Sequence, residues 1–290
     1  MKFTKMHGIG NDYIYINGFK EHIDNPKNLA ISLSERHKGI GADGLVLILP
    51  SKHCDFRMQM FNADGSEAEM CGNASRCIGK YVYDKGLTSK TEITLETLAG
   101  IKVLRLFLGK NGLVEKVTVD MGEPILESSR IPTTIKKPRI IRETVHFGDT
   151  TNYEITCVSM GNPHTVIFTK NIDKLKLPEI GSQIENSTFF PKRTNVEFIE
   201  ITDKNRMKMR VWERGSGETM ACGTGACAAA VAGVLNGLTG RSITAELSGG
   251  ELQIEWNAFD NHIYLTGEAV MVYDGEINEE YLSKITPLPV

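Results

Sequence analysis

The sequence predicts an α+β protein made of two similar, pseudo-symmetric domains, and three observations lead there. Short strand-like runs recur along the chain while helical patterns are few, which is not the regular alternation of a βαβ sequence. The stretch Phe61-Asn-Ala-Asp-Gly-Ser-Glu-Ala-Glu-Met-Cys71-Gly-Asn-Ala is echoed by Trp212-Glu-Arg-Gly-Ser-Gly-Glu-Thr-Met-Ala-Cys222-Gly-Thr-Gly, with the two cysteines 151 positions apart. A Gly-Asn pair ending at Asn11 recurs at Asn162 with the same shift, so two landmarks agree on one repeat in a chain of 290 residues, long enough for two ordinary domains.

Each element follows from local pattern. Strands are expected at 45–49, 92–98, 101–106, 114–119, 155–158, 165–168, 196–201, 207–212, 252–256 and 262–265, where apolar and β-branched residues run between turn formers. Helices are expected at 26–36, opened by Pro26; at 73–85, ended by Gly86; and at 224–236, ended by Gly237 and Gly240. The domain junction is placed near Asp120. It gives an N-terminal domain over 1–119 with Cys71, a C-terminal domain over 120–267 with Cys222, and a segment 268–290 that returns to the first domain. The repeat implies a pseudo-two-fold arrangement in which each domain brings one cysteine to a shared cleft.

Composition narrows the function. With 41% hydrophobic and 24% charged residues the chain reads as globular, and a net charge of -3 gives no electrostatic reason to bind nucleic acid or an anionic membrane. The opening Met-Lys-Phe-Thr-Lys-Met-His-Gly lacks the apolar core of a signal peptide, and no long apolar run occurs, so a cytoplasmic protein is expected. Its partner is then a small molecule. In a reducing compartment the six cysteines do not form a disulfide framework, which leaves reactive thiols to consider.

Cys71 and Cys222 each stand at the start of a predicted helix, where unpaired N–H groups and the positive end of the dipole favour an anion. That setting is expected to lower a thiol pKa toward neutrality, where it works as base or acid. Inverting a carbon stereocentre without a cofactor needs one group to take a proton from one face and another to supply one to the opposite face. Two like thiols meet that need. Helix starts at Gly72-Asn73 and Gly223-Thr224 offer N–H donors to the carboxylate beside the reacting carbon. Cys54, Cys77, Cys157 and Cys227 read as small buried hydrophobes.

No metal is expected, because the Cys71/Cys77 and Cys222/Cys227 spacings lack a C-x-x-C pair or paired histidines. The glycine pattern 39–44 precedes a strand rather than following one, and 223–228 is separated from its strand by the polar loop 213–219, so neither supports a dinucleotide. Around the cysteines stand groups suited to a zwitterion: Asn11, Asn62, Asn73, Asn162, Asn195, His164, Glu213 and Arg214. Arg clamps a carboxylate and Glu accepts from an ammonium.

His7-Gly-Ile-Gly-Asn-Asp-Tyr13, Phe61-Asn-Ala-Asp-Gly-Ser66, Cys71-Gly-Asn73, Gly161-Asn-Pro-His164 and Glu213-Arg-Gly-Ser-Gly-Glu-Thr219, followed by Ala221-Cys-Gly-Thr-Gly225, resemble diaminopimelate epimerase in order along nearly the whole chain. The resemblance implies a pyridoxal-independent enzyme, with no cofactor, that interconverts LL- and meso-diaminopimelate. It implies that Cys71 and Cys222 are the acid/base pair, that His164 and Glu213 assist them, and that Gly72, Asn73, Gly223 and Thr224 hold the reacting carboxylate. Asn11, Asn62, Asn162, Asn195, Glu213 and Arg214 would read the distal amino-acid end. It further implies a homodimer, and domains each built as a curved mixed sheet around a central helix. Some members carry Gln where this chain has Gly44, aligned by the repeat with Asn195, so one distal contact is expected to be missing.

The rivals inside the same fold are a proline racemase or hydroxyproline epimerase, which usually has His at the place of Asn73 and needs no Glu213-Arg214 reader, and a related racemase acting on another polar amino acid such as histidine. Outside it stand a non-catalytic amino-acid binder, which would not need two thiols, and a thiol redox protein, which would cycle through a Cys71-Cys222 bond.

Overall fold

The structure is a computed structural model that describes residues 1–148 and 151–285, apart from the side chain of residue 151. In chain order the elements are β1 (Lys2–Gly8), β2 (Asn11–Asn17), α1 (Pro26–Ser34), β3 (Gly44–Leu49), β4 (Phe56–Asn62), β5 (Glu67–Ala68), α2 (Gly72–Asp84), β6 (Glu92–Thr97), β7 (Gly100–Leu108) and β8 (Val114–Asp120). They continue with β9 (Glu143–Phe147), β10 (Thr151–Ser159), β11 (Pro163–Phe168), α3 (Leu177–Glu185), β12 (Asn195–Asp203), β13 (Arg206–Glu213), β14 (Gly217–Thr219), α4 (Gly223–Leu235), β15 (Ser242–Leu247), β16 (Gly250–Trp256), β17 (Ile263–Glu268), β18 (Val270–Glu276) and α5 (Glu279–Ile285). The chain divides into two compact units, 1–119 with 267–290, and 120–266.

In the first unit β1 pairs antiparallel with β18 and β2, β2 runs parallel to β3, and β3 pairs antiparallel with β4. Strand β4 carries the short β5 and runs parallel to β6, which opens the antiparallel series β6-β7-β8. The second unit repeats this wiring: β9 and β11 flank β10, β11 is parallel to β12, β12 is antiparallel to β13, β13 carries β14 and runs parallel to β15, and β15-β16-β17 follow antiparallel. The shift of 151 persists to the residue. Helix α2 starts at Gly72 and α4 at Gly223, α1 starts at Pro26 and α3 at Leu177, and Tyr13 faces Gly44 across the strands as His164 faces Asn195. The repeat breaks at one place: the strand beside β1 comes from the far end of the chain, whereas the strand beside β10 directly precedes it.

Local chemistry explains the elements. Pro26 opens α1 behind Asn25, whose side chain accepts the N–H of Asn28 at 3.1 Å. Helices α2 and α4 close identically on Gly86 and Gly237, at φ 72° and 68°. Gly86 N–H bonds the carbonyl of Tyr83 and Leu87 N–H that of Val82, while Gly237 and Leu238 bond those of Val234 and Gly233. Glycine, with no Cβ, takes this left-handed position at the least backbone cost. In β16, Leu252, Ile254 and Trp256 are buried while Glu251, Gln253 and Glu255 face out, the two-residue period of a half-buried strand.

Each unit wraps its sheet round one helix. Helix α2 packs on β1, β7 and β18, and the Ala-rich α4 on β10, β11, β12, β15 and β16. An apolar helix of small side chains suits contact on all sides. Ile277, Tyr281 and Leu282 tie the C-terminal segment to the core of Phe3, Ile14, Leu29 and Leu45. The second unit has its own core, around Phe147, Ile155, Phe190 and Phe198. Residues 213–219, expected as a loop, form instead the tight hairpin of β13 and β14, because Gly215 and Gly217 adopt positive φ.

Burial pushes the thiols of Cys77 and Cys157 up to about 11 and about 12. An unfolded chain loses those protons near the usual 9.0. The stabilisation is therefore complete below about pH 9 and is lost as pH rises toward the folded values. The melting temperature is expected to fall steeply between pH 9 and 11, and less steeply in Cys157→Ala. A flat alkaline limb would contradict this.

Candidate active site

In the first unit Cys71 is the N-cap of α2, half-buried, with extended backbone at φ -136°. Its thiol donates to Oδ1 of Asn11 at 3.5 Å, and Asn73 Nδ2 donates to the same oxygen at 3.3 Å. The Asn11 amide is turned that way by Asp43, whose Oδ2 accepts from Asn11 Nδ2 at 2.8 Å and from the Asp12 N–H at 3.1 Å. Arg36 reaches both Asp12 and Asp43 at 3.0 Å, and Lys5 lies 2.6 Å from Asp12. Burial raises the Asp12 carboxyl, but Lys5 and Arg36 outweigh it and hold it below the usual range; burial and the neighbouring Asp12 charge push Asp43 up. Arg76, wholly buried one turn into α2, donates to Asn73 Oδ1 at 2.9 Å and fixes that amide too. Asn62 ends β4 and donates to Ser66 Oγ at 3.0 Å in the β4–β5 hairpin.

The second unit places Cys222 as the N-cap of α4, where its sulfur accepts the Gly225 N–H at 3.3 Å and lies 3.6 Å from Thr224 Oγ1. Asn162 Nδ2 donates to Thr224 Oγ1 at 3.2 Å, and its Oδ1 lies 3.0 Å from Nε2 of His164. The ring of His164 is wholly buried and meets Glu197 through Nδ1 at 2.6 Å. Glu213 ends β13 and accepts from Thr219 Oγ1. Asn195 is spent on the backbone: Nδ2 donates to the Pro163 carbonyl at 2.9 Å, and Oδ1 accepts the Arg214 N–H at 2.8 Å. The exposed Arg214 side chain donates to the Lys192 carbonyl at 3.2 Å. Gly72 and Gly223, both buried, begin their helices.

One expectation is overturned. The Cys222 thiol is pushed well above its ordinary value, not toward neutrality. Burial is the largest cause, followed by the charges of Glu213 and Glu197, and the Thr224 and Gly225 donors offset only part. A helix N-terminus contributes a fraction of a charge, which two nearby carboxylates in a dry site outweigh. Glu213 is itself raised, by burial first, with Thr219 and the charge of His164 pulling the other way. These surroundings hold the thiol protonated. Glu213→Gln removes the largest charge acting on it, so the alkylation profile of Cys222 with iodoacetamide is expected to move to lower pH while turnover falls about tenfold or more. A profile that stays put or moves up would contradict that reading of Glu213.

Three polar groups that shape the site escaped the sequence reading: Asp43, Arg76 and Glu197. The repeat carried a signal for the last, since Glu197 stands in a buried strand where the matching position is Val46. Gly44 has no room for a side chain: a Cβ there would lie 2.1 Å from the Phe61 carbonyl oxygen and 2.9 Å from Cε1 of Tyr13. All six cysteines carry thiols, none in a disulfide. Among the described residues no three His, Cys, Asp or Glu side chains gather as a metal-ligand set, and no helix is long and apolar enough to cross a membrane.

The sequence profile of diaminopimelate epimerase matches residues 3–127 and 156–272. The diaminopimelate epimerase of Methanococcus maripaludis S2 is 58% identical over 278 residues, covering 96% of this chain and 100% of its own. That of Acetivibrio thermocellus is 57% identical over 278 residues (96% and 99%), and that of Desulfovibrio desulfuricans 58% over 282 (95% and 98%). Among solved structures, a probable proline racemase from Agrobacterium radiobacter K84 superposes with a TM-score of 0.72 at 15% identity, covering 96% of this chain and 93% of that one. A PhzF-family phenazine biosynthesis protein of Bacillus anthracis gives 0.68 at 17% (96% and 99%). These two share the fold. With the profile match and relatives this similar over almost their full length, the chain belongs to the diaminopimelate epimerase family.

Proposed function

We propose that this isomerase interconverts LL- and meso-2,6-diaminopimelate without pyridoxal phosphate, using Cys71 and Cys222 as two bases of opposite duty, in the supply of lysine and peptidoglycan precursors. The observation that carries the reading is the recurrence of a Cys-Gly helix cap at the same place in both units of a chain from this family. One cysteine, as thiolate, takes the α-proton; the electron pair spreads into the adjacent carboxylate; the other, as thiol, delivers a proton to the opposite face. The sulfurs then exchange roles in the reverse direction. N–H groups at Gly72-Asn73 and Gly223-Thr224 stabilise the charge that builds on the carboxylate.

His164 and Glu213 govern the proton on Cys222. Asn11, Asn62, Asn162, Asn195, Glu213 and Arg214 select the distal amino-acid end. Cytoplasmic residence and a homodimer complete the proposal; exposed Val270, Val272 and Tyr273 on β18 make a surface suited to a second copy. The test is conversion of LL- to meso-diaminopimelate by reduced protein in pyridoxal-free buffer, resolved by chiral chromatography. No conversion would reject this substrate and turn attention to proline, hydroxyproline and histidine.

A further inference from the structure

Glu197 lies in β12 with its side chain wholly buried, and beyond its charge near Cys222 the reaction as set out above gives it no part. A Cβ at Gly225 would stand 2.7 Å from Glu197 Oε1 and 3.2 Å from Cys222 Sγ, so the carboxylate sits against the first turn of α4 beside the thiol. Its Oε2 has no hydrogen-bond partner among the described residues. Burying a carboxylate this way is costly, and the equivalent place in the first unit holds Val46, so packing alone does not account for it.

The contacts of Glu197 lead in one direction. Oε1 meets Nδ1 of His164 at 2.6 Å, Nε2 meets Asn162 Oδ1 at 3.0 Å, and Asn162 Nδ2 donates to Thr224 Oγ1 at 3.2 Å. A carboxylate and an amide oxygen only accept, so Nδ1 donates to Glu197 and Nε2 donates to Asn162. In the first unit the matching asparagine is oriented otherwise: Asp43 takes Nδ2 of Asn11, and Oδ1 is turned to Cys71 and Asn73. Equivalent amides thus present opposite polarity to equivalent helix starts, Asn11 its oxygen and Asn162 its nitrogen.

We propose that Glu197 is a positioning residue of the Cys222 half of the site: by accepting the Nδ1 proton of His164 it fixes the ring, and the ring fixes the Asn162 amide with its nitrogen toward Thr224. Its effect on turnover rests on the reading of Asn162 as a substrate contact; its effect on the ring does not.

Two variants test it, Glu197→Val, which installs the residue of the other half, and Glu197→Gln, whose amide oxygen still accepts from Nδ1. The readouts are the ring-nitrogen NMR signals of His164, identified by their loss in His164→Gln, and kcat and KM for LL-diaminopimelate. Nδ1–H is expected to persist in wild type and Glu197→Gln and to be lost or mixed in Glu197→Val. The kcat/KM of Glu197→Val is expected to fall about tenfold to a hundredfold, and that of Glu197→Gln, which loses the charge but keeps an acceptor for Nδ1, to fall clearly less. An unchanged His164 spectrum in Glu197→Val, or a Glu197→Gln enzyme as impaired as Glu197→Val, would overturn the proposal. Should Glu197→Val not fold, loss of Nδ1–H in Glu197→Gln overturns it alone. A wild-type protein inert toward diaminopimelate would reject the substrate while the His164 spectra still decide the role of Glu197.

Discussion

Replacing either Cys71 or Cys222 by Ala is expected to lower kcat for epimerisation by a factor on the order of 10²–10⁴, the usual worth of one general acid or base. Each substitution removes one of two steps, and the remaining thiol keeps its own setting, since Asn11 serves Cys71 while Thr224 and Gly225 serve Cys222. Each variant is therefore expected to exchange the α-hydrogen of one stereoisomer with solvent without inverting it, and the two variants should prefer opposite isomers. Equal exchange of both isomers by a single-cysteine enzyme would point to a one-base mechanism. Because the surroundings of Cys222 hold its proton, kcat at saturating substrate in the direction in which it must act as base is expected to rise more with pH than kcat in the other direction.

The largest effect on folding is expected at Gly44. A Gln at this position places a Cβ 2.1 Å from the Phe61 carbonyl oxygen and 3.1 Å from Cα of Asn62, atoms of the neighbouring strand that cannot move without breaking its pairing. Gly44→Gln is expected to cost about 3 kcal/mol, at the upper end of overpacking penalties, read from urea unfolding. Gly44→Ala should cost nearly as much, because the clash begins at Cβ. A Gly44→Gln protein as stable as wild type would show that Tyr13 and β4 yield, and that the distal contact expected to be missing can be restored by one substitution.

Much of this fold was legible because its punctuation is chemical. Pro26, Gly86 and Gly237 mark helix ends by backbone geometry, and the three helices they bound differ from expectation by one or two residues. The shift of 151 found at Cys71 and Cys222 proves to run through the strand wiring. Strands β1, β2, β4, β9, β15 and β18 and the short β5 and β14 went unread; in β1 Lys5 breaks the apolar pattern, although it is buried against Asp12 and the Gly41 carbonyl instead of facing solvent. Helix α3 carries Pro178 and Gly181, which hide its period, although α1 at the repeat distance could have revealed it. At the site, the residue types around each cysteine were visible, but the pKa direction at Cys222 was not. It depends on burial, on the charge of Glu213 and on that of Glu197, a residue the sequence reading did not single out and that tertiary packing brings beside the thiol.

The most direct test of the two-thiol account is to incubate reduced wild-type protein with LL-diaminopimelate in deuterated water and follow meso product together with deuterium at each α-carbon during the first few per cent of conversion. The account predicts that every meso molecule formed carries solvent deuterium at the inverted centre, while recovered LL substrate carries almost none, because the proton taken by one sulfur is not the one returned by the other. Meso product that retains the substrate's own hydrogen, or deuterium entering recovered substrate as fast as product, would contradict it.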